Sequence, residues 1–171
     1  MAKITSAIAA KQLRKLNEQR DALLAREKKV KTFTAAIQED VESVRPAYDF
    51  QATQDALTEF EEKIRNLKHT LNCFNSTYVI PEFNMTIDQM LIYIPQLTSR
   101  KKQLDGMRSK LPKERVQSTF GRGNNFIEYD YANYEISKAE EAYIAVSDKL
   151  AKAQNALDTA NTTVLFEADI D

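Results

Sequence analysis

The chain has 171 residues, with 24 Lys/Arg against 25 Asp/Glu, one cysteine, three glycines and four prolines. That length fits one domain, residues 1–171, and scarce Gly and Pro beside 29% charged residues point to long helices with solvated faces. The net charge of −1 is not that of a committed nucleic-acid module, and the lone thiol, Cys73, builds neither a disulfide framework nor a multi-cysteine zinc site.

The opening stretch, MAKITSAIAAKQLRK, has only a short Ala-rich apolar run before Lys11, too little for a signal peptide. With one cysteine, this suits a reducing, cytoplasmic setting. A first helix is predicted over 4–38. Ile4, Ile8, Leu13, Leu16, Leu23, Val30 and Ile37 form a drifting stripe, and positions 16, 23, 30 and 37 repeat every seven residues. The companion seam turns polar at Arg20 and Glu27, which are expected to snorkel or pair at a helix interface. Residues 38–49 break the pattern with acids and Pro46, and Asp49 is placed to cap the next helix.

That second helix is predicted over 50–76, where Leu57, Phe60, Ile64, Leu67, Leu71 and Phe74 alternate by three and four. A helix this amphipathic must pack against something. The stretch NSTYVIPEFN reads as a loop with an extended middle, and Thr86 with Gln89 forms a capping-box pattern for a third helix over 86–108. Its apolar positions are Ile87, Met90, Leu91, Ile94, Leu97 and Leu104, and Pro95 is expected to kink or split it. Period-two alternation then predicts a β-hairpin over 114–132, with GRGNN as a five-residue loop. A heptad returns over 133–161 through Ile136, Ala139, Tyr143, Val146, Leu150, Ala153, Leu157 and Ala160. The tail, residues 162–168 with Val164 and Phe166, is expected to form a strand against the hairpin, of the same subunit or a neighbour, and cover its edge. No stretch approaches the ~20 apolar residues of a membrane-spanning helix.

The charges come in blocks. Residues 1–31 hold nine bases and three acids, 32–62 one and eight, 98–115 seven and two, and 116–171 four and ten. Opposite-sign faces of antiparallel helices explain such alternation.

Chemistry-bearing sets are sparse. His69 and Cys73 share a helix face at four-residue spacing, but two soft ligands fall short of a zinc site, and no nucleophile set surrounds the histidine. They read as a surface histidine and a half-buried thiol. GRGNN lacks the spacing, Lys-Ser/Thr and following helix of a phosphate loop, so turn chemistry explains its glycines. The aromatic group Phe126, Tyr129, Tyr131, Tyr134 and Tyr143 could stack bases, yet residues 126–135 carry Glu128, Asp130 and Glu135 with no base among them. Phosphate would be repelled there, so the hairpin is expected to pack on the helices.

Four stretches resemble one family: LNCFNSTYVI, MTIDQMLIYIPQLTSRKKQLDGMRS, FIEYDYA and LDTANTTVLFEAD. Over about residues 10–168 the chain resembles the septicolysin-like small bacterial helical proteins. Asn72, Asn75 and Thr77 match an Asn-rich helix end that precedes a Thr-led helix. Asn161, Thr162, Thr163 and Leu165 match an Asn-x-Thr-Thr end to the last helix. Pro95 departs from a run that is basic or Ala-rich in the family, and the tail lacks the aromatic within that final element. The resemblance implies helical structure and, by the family name, action on membranes; it carries over no catalytic residues.

The expectation is a mainly α chain: an antiparallel long-helix bundle or coiled-coil hairpin with a small β-hairpin or three-stranded sheet. The role expected is a non-enzymatic homo-oligomeric scaffold or interaction protein with no cofactor, no metal site and no nucleic-acid partner. Its helix or oligomer seams are Leu57, Phe60, Ile64, Leu67, Leu71, Tyr143, Val146, Leu150 and Leu157. The alternatives are a membrane-acting or pore-forming protein, and an anion- or nucleic-acid-binding module using residues 98–115.

Overall fold

Thr5 closes one element and opens the next: its hydroxyl accepts from the Ile8 amide at 3.3 Å and caps a helix, and the three residues before it are extended. In this computed structural model, which describes residues 1–116 and 128–169, the chain is mainly helical with small antiparallel two-stranded sheets. The elements run β1 Ala2–Thr5, α1 Ser6–Val30, α2 Val41–Val44, α3 Phe50–Thr77, β2 Val79–Ile80, β3 Met85–Thr86, α4 Ile87–Arg108, β4 Lys113–Arg115, β5 Tyr129–Tyr131, α5 Ile136–Thr163 and β6 Leu165–Ala168. Contacts divide the chain into two compact units, Met1–Tyr78 with the segment from Thr159 on, and Val79–Asp158.

In the first unit α1 packs on α3. Glu27 near the end of α1 reaches Gln54 near the start of α3, while Leu16 shares a cluster with Leu67, so the two helices run antiparallel. The core joins Ile4, Ala9, Leu16, Leu67 and Ala168, with Leu13, Phe60, Ile64, Leu71 and Phe166 packed against it. α3 is roughly 40 Å long at about 1.5 Å per residue, and its predicted stripe is the face laid on α1. Asp49 caps it as expected, accepting from the Ala52 amide at 3.0 Å.

The tail strand is real but pairs elsewhere. β6 runs antiparallel to β1, with Ile4 opposite Phe166 and Lys3 opposite Glu167, and does not join the 114–132 hairpin. The reason lies in the faces. Ile4, Phe166 and Ala168 point into the α1–α3 core, while Lys3 and Glu167 set opposite charges across the outer face. The strand also starts later than expected, because Thr162 and Thr163 still belong to α5.

The first helix is shorter than its heptad suggests. It begins after β1 and ends at Val30, and Ile37, the last step of the repeat, is fully exposed. Residues 31–49 form a long loop holding only the one-turn α2.

In the second unit, β2 and β3 form a two-residue ribbon inside the stretch read as extended loop. Asn84 before β3 has φ 50°, a left-handed value that Asn tolerates. The Thr86/Gln89 capping box forms in both directions, at 3.2 and 2.8 Å. α4 then runs unbroken through Pro95, so the proline removes one donor without splitting the helix. Ile87, Met90 and Leu97 form its buried face. The hairpin is present: Lys113 pairs with Tyr131 and Arg115 with Tyr129, and the Val116 amide donates to the Glu128 carbonyl at 3.0 Å. Its expected GRGNN loop, with Ser118, Phe120, Phe126 and Ile127, lies outside the described residues.

Candidate functional site

The residues that sequence reasoning tied to interfaces are mostly spent inside the chain. Leu57, Leu67, Leu150 and Leu157 are buried, and Phe60, Ile64, Leu71, Tyr143, Val146, Val164 and Phe166 are half-buried. Phe60, Ile64, Leu67 and Leu71 belong to the α1–α3 contact and its core. Phe166 stacks on Phe74, with ring centroids 4.6 Å apart and planes at 16°.

Exposed apolar side chains recur along the described residues, and one run of them spans the loop joining α1 to α3 and the first residue of α3. Phe33, Ile37, Val41, Val44 and Phe50 all stand in solvent, Phe50 at 62% exposure. Local bonds give this loop shape. Asp40 caps α2, the Glu39 carboxylate accepts from the Ala36 amide at 2.9 Å, and Arg45 chelates Glu42 at 2.7 and 2.9 Å. Those bonds hold the Glu42 carboxyl below its ordinary range, and the Arg45 guanidinium also lies 5.2 Å from the Phe33 ring centre.

Glu27, expected to pair at a helix interface, fixes the base of the loop. Its Oε1 accepts from the Tyr48 hydroxyl at 2.7 Å and from the Gln54 amide nitrogen at 2.9 Å. The bond to Glu27 pushes the Tyr48 phenol up. A groove of about 220 Å³ opens beside it, lined by Leu23, Val30, Ala52 and Ala56 among others. Phe33, Ile37, Val41 and Val44 recur at intervals of four, four and three, a helical spacing, yet the backbone forms only the one-turn α2 there.

His69 is exposed as expected, and its Nε2 lies 3.6 Å from the Cys73 Sγ. Cys73 is exposed, not half-buried, because it stands off the stripe that α3 lays on α1. Among the described residues no group of three or more His, Cys, Asp and Glu side chains is arranged to hold a metal ion. No helix of these residues is long and apolar enough to cross a membrane.

In the second unit one base of the 98–115 block, Arg108, bonds helix to helix. Arg108 bonds Asp105 at 2.8 Å and Glu140 at 3.1 and 3.2 Å, and its guanidinium lies 3.8 Å over the Tyr143 ring. Tyr134 donates to the Met107 carbonyl at 2.8 Å. These tie α5 and the segment before it to α4. The hairpin tyrosines behave differently. Tyr129 and Tyr131 are 43% and 60% exposed, so the expectation that this aromatic group packs as a whole fails at both. The register sets both rings on one face of the hairpin, with Lys113 Nζ 3.9 Å from one and 5.4 Å from the other, and neither face of the paired segment is buried.

No family model matches the chain, and no curated protein does. It is similar to a solved crystal structure of a functionally unknown conserved protein from Corynebacterium diphtheriae. The TM-score is 0.58 at 15% identity, over 97% of this chain and 100% of that one. At that identity the likeness shows a shared, mainly helical fold.

Proposed function

We propose that this chain is a non-enzymatic helical interaction protein that assembles with copies of itself through the loop between α1 and α3. One observation carries the reading: four large apolar side chains stand exposed on a single loop whose backbone is bonded into shape, with a fifth, Phe50, at the first residue of α3. Exposed apolar clusters rimmed by polar residues mark interaction sites. The rim favours self-association. Residues 26–50 hold five bases, Arg26, Lys28, Lys29, Lys31 and Arg45, and five acids, Glu27, Glu39, Asp40, Glu42 and Asp49. An isologous contact sets one patch against its own copy, and a patch with both signs in equal number meets itself without net repulsion.

The long seam of α3 no longer calls for a partner, because α1 covers it within the chain. The assembly surface therefore moves from the seam to the loop. The septicolysin-like resemblance is compatible with this reading and supplies a second: exposed Ile37, Phe50 and Phe33 are also what lipid contact needs. With five acids against five bases the stretch has no net attraction for an anionic membrane, which puts self-association first.

Sedimentation velocity of the whole chain and of an Ile37→Asp/Phe50→Asp variant separates the two. Self-association predicts a concentration-dependent larger species in the parent that the variant lacks. A parent that stays monomeric but floats with lipid vesicles, with the variant released, transfers the loop to the membrane reading.

A further inference from the structure

We propose that the outward face of the β4–β5 hairpin binds single-stranded nucleic acid. The register decides which side chains share a face. Residues directly opposite each other in an antiparallel pair lie on the same side, and successive residues alternate. Lys113 opposes Tyr131, Arg115 opposes Tyr129, and Glu114 opposes Asp130. One face therefore carries Lys113, Arg115, Tyr129 and Tyr131, and the other carries Glu114 and Asp130. All six residues are exposed.

One pair in this arrangement, Glu114 with Asp130, works against the hairpin. Carboxylates directly across from each other repel, and like charges so placed destabilise a strand pair. What the segregation does produce is a face with two cations, two aromatic rings and no carboxylate on its paired positions. The acids that argue against phosphate binding when β5 is read alone include Asp130, and the register turns it to the opposite side.

The chemistry of the face fits an unpaired strand. Aromatic rings stack bases of any sequence, and ammonium and guanidinium groups take the phosphates between them. A single ammonium, that of Lys113, serves both rings. The rings stand 6.4 Å apart and are tilted by 54°, so a base is not sandwiched between them; Lys113 Nζ lies over one face of each ring, and a base would stack on the other or displace the ammonium. A duplex keeps its bases stacked inside and has nothing to give the tyrosines. The site is in the second unit and does not depend on the assembly loop of the first.

The test is fluorescence anisotropy of a labelled oligothymidylate with the intact protein, beside a duplex of the same length. The expected result is micromolar binding of the single strand at low salt, with the duplex weaker. The logarithmic salt slope should be about −1.4, the value for two phosphate contacts on a single strand. Tyr129→Ala and Tyr131→Ala should each weaken binding roughly 5- to 100-fold. Tyr131→Phe should keep it, since the ring face is retained. Lys113→Gln/Arg115→Gln should flatten the salt slope even if the tyrosine variants lose the hairpin. Glu114→Gln should not weaken binding. No binding of the single strand, equal binding of duplex, or a slope unchanged by the double cation variant would overturn the proposal.

Discussion

The Phe166 ring of the tail lies flat on the Phe74 ring of α3, 4.6 Å between centroids, and Phe74 in turn stacks on Tyr78 at 5.4 Å. The tail is thus a lid on the α1–α3 core, placed by its pairing with β1. Truncation after Ala160 removes β6 and uncovers Phe74 and Ile4. It should lower the denaturant midpoint clearly. Phe166→Ala alone should cost about 2–3 kcal/mol, below the ~3–5 of a fully buried phenylalanine, since Phe166 is half-buried. Urea unfolding monitored by circular dichroism checks both. Because the β1–β6 pairing is within one chain, the truncated protein should keep the assembly state of the parent.

Leu67 is 2% exposed at the centre of the first unit's core, so Leu67→Ala should destabilise by about 2–5 kcal/mol. Ile64→Asp, which presses a charge against the same cluster, should unfold that unit. His69→Ala should lie within about 0.5 kcal/mol of the parent, as expected of an exposed helix residue. If the histidine change proves the damaging one in the same unfolding series, its assignment to the surface is wrong.

The Tyr48–Glu27 bond gives the loop an alkaline limit. Bonding to Glu27 raises the Tyr48 phenol above its ordinary value of about 10. Its contribution is intact below that ordinary value and is lost as pH rises through the raised one. Tyrosinate absorbance should show a late-ionising phenol step, and Tyr48→Phe should remove it. The raised step should also fall back in Glu27→Gln. A titration unaltered by Tyr48→Phe contradicts the assignment.

Much of this fold is legible in pattern. The three-four stripe of Leu57 to Phe74, the Asp49 cap and the Thr86/Gln89 box are local signals, and each forms where expected. Pattern misleads where two periods coincide. Ile4 and Ile8 are spaced as on a helix, yet Ile4 lies in a strand and Ile8 is exposed, because Thr5 breaks the helix between them. Val30 and Ile37 continue a heptad that the backbone leaves at Lys31. The charge segregation of the hairpin is not legible at all, since it depends on the register between strands separated by more than ten residues. The loop surface is equally hidden, because Ile37 mimics the end of a helical stripe and its neighbours mimic a plain connection.

Arg108 joins Asp105, Glu140 and Tyr143, and those bonds raise its guanidinium further above its ordinary range. Arg108→Ala should lower the melting temperature more than any other single change in the block from 98 to 115. Arg108→Lys should not restore it, because one ammonium cannot reproduce a planar fork that bonds two carboxylates while lying on a ring. Full rescue by lysine would show that only the charge matters there.

The measurement that bears most directly on the assembly reading is the solution mass of the unmodified chain by light scattering at micromolar concentration. Self-association through the 31–49 loop predicts at least twice the 19.6 kDa chain mass, falling to the single-chain value in Ile37→Asp/Phe50→Asp with helicity unchanged. A parent chain that scatters as a monomer throughout that range contradicts it.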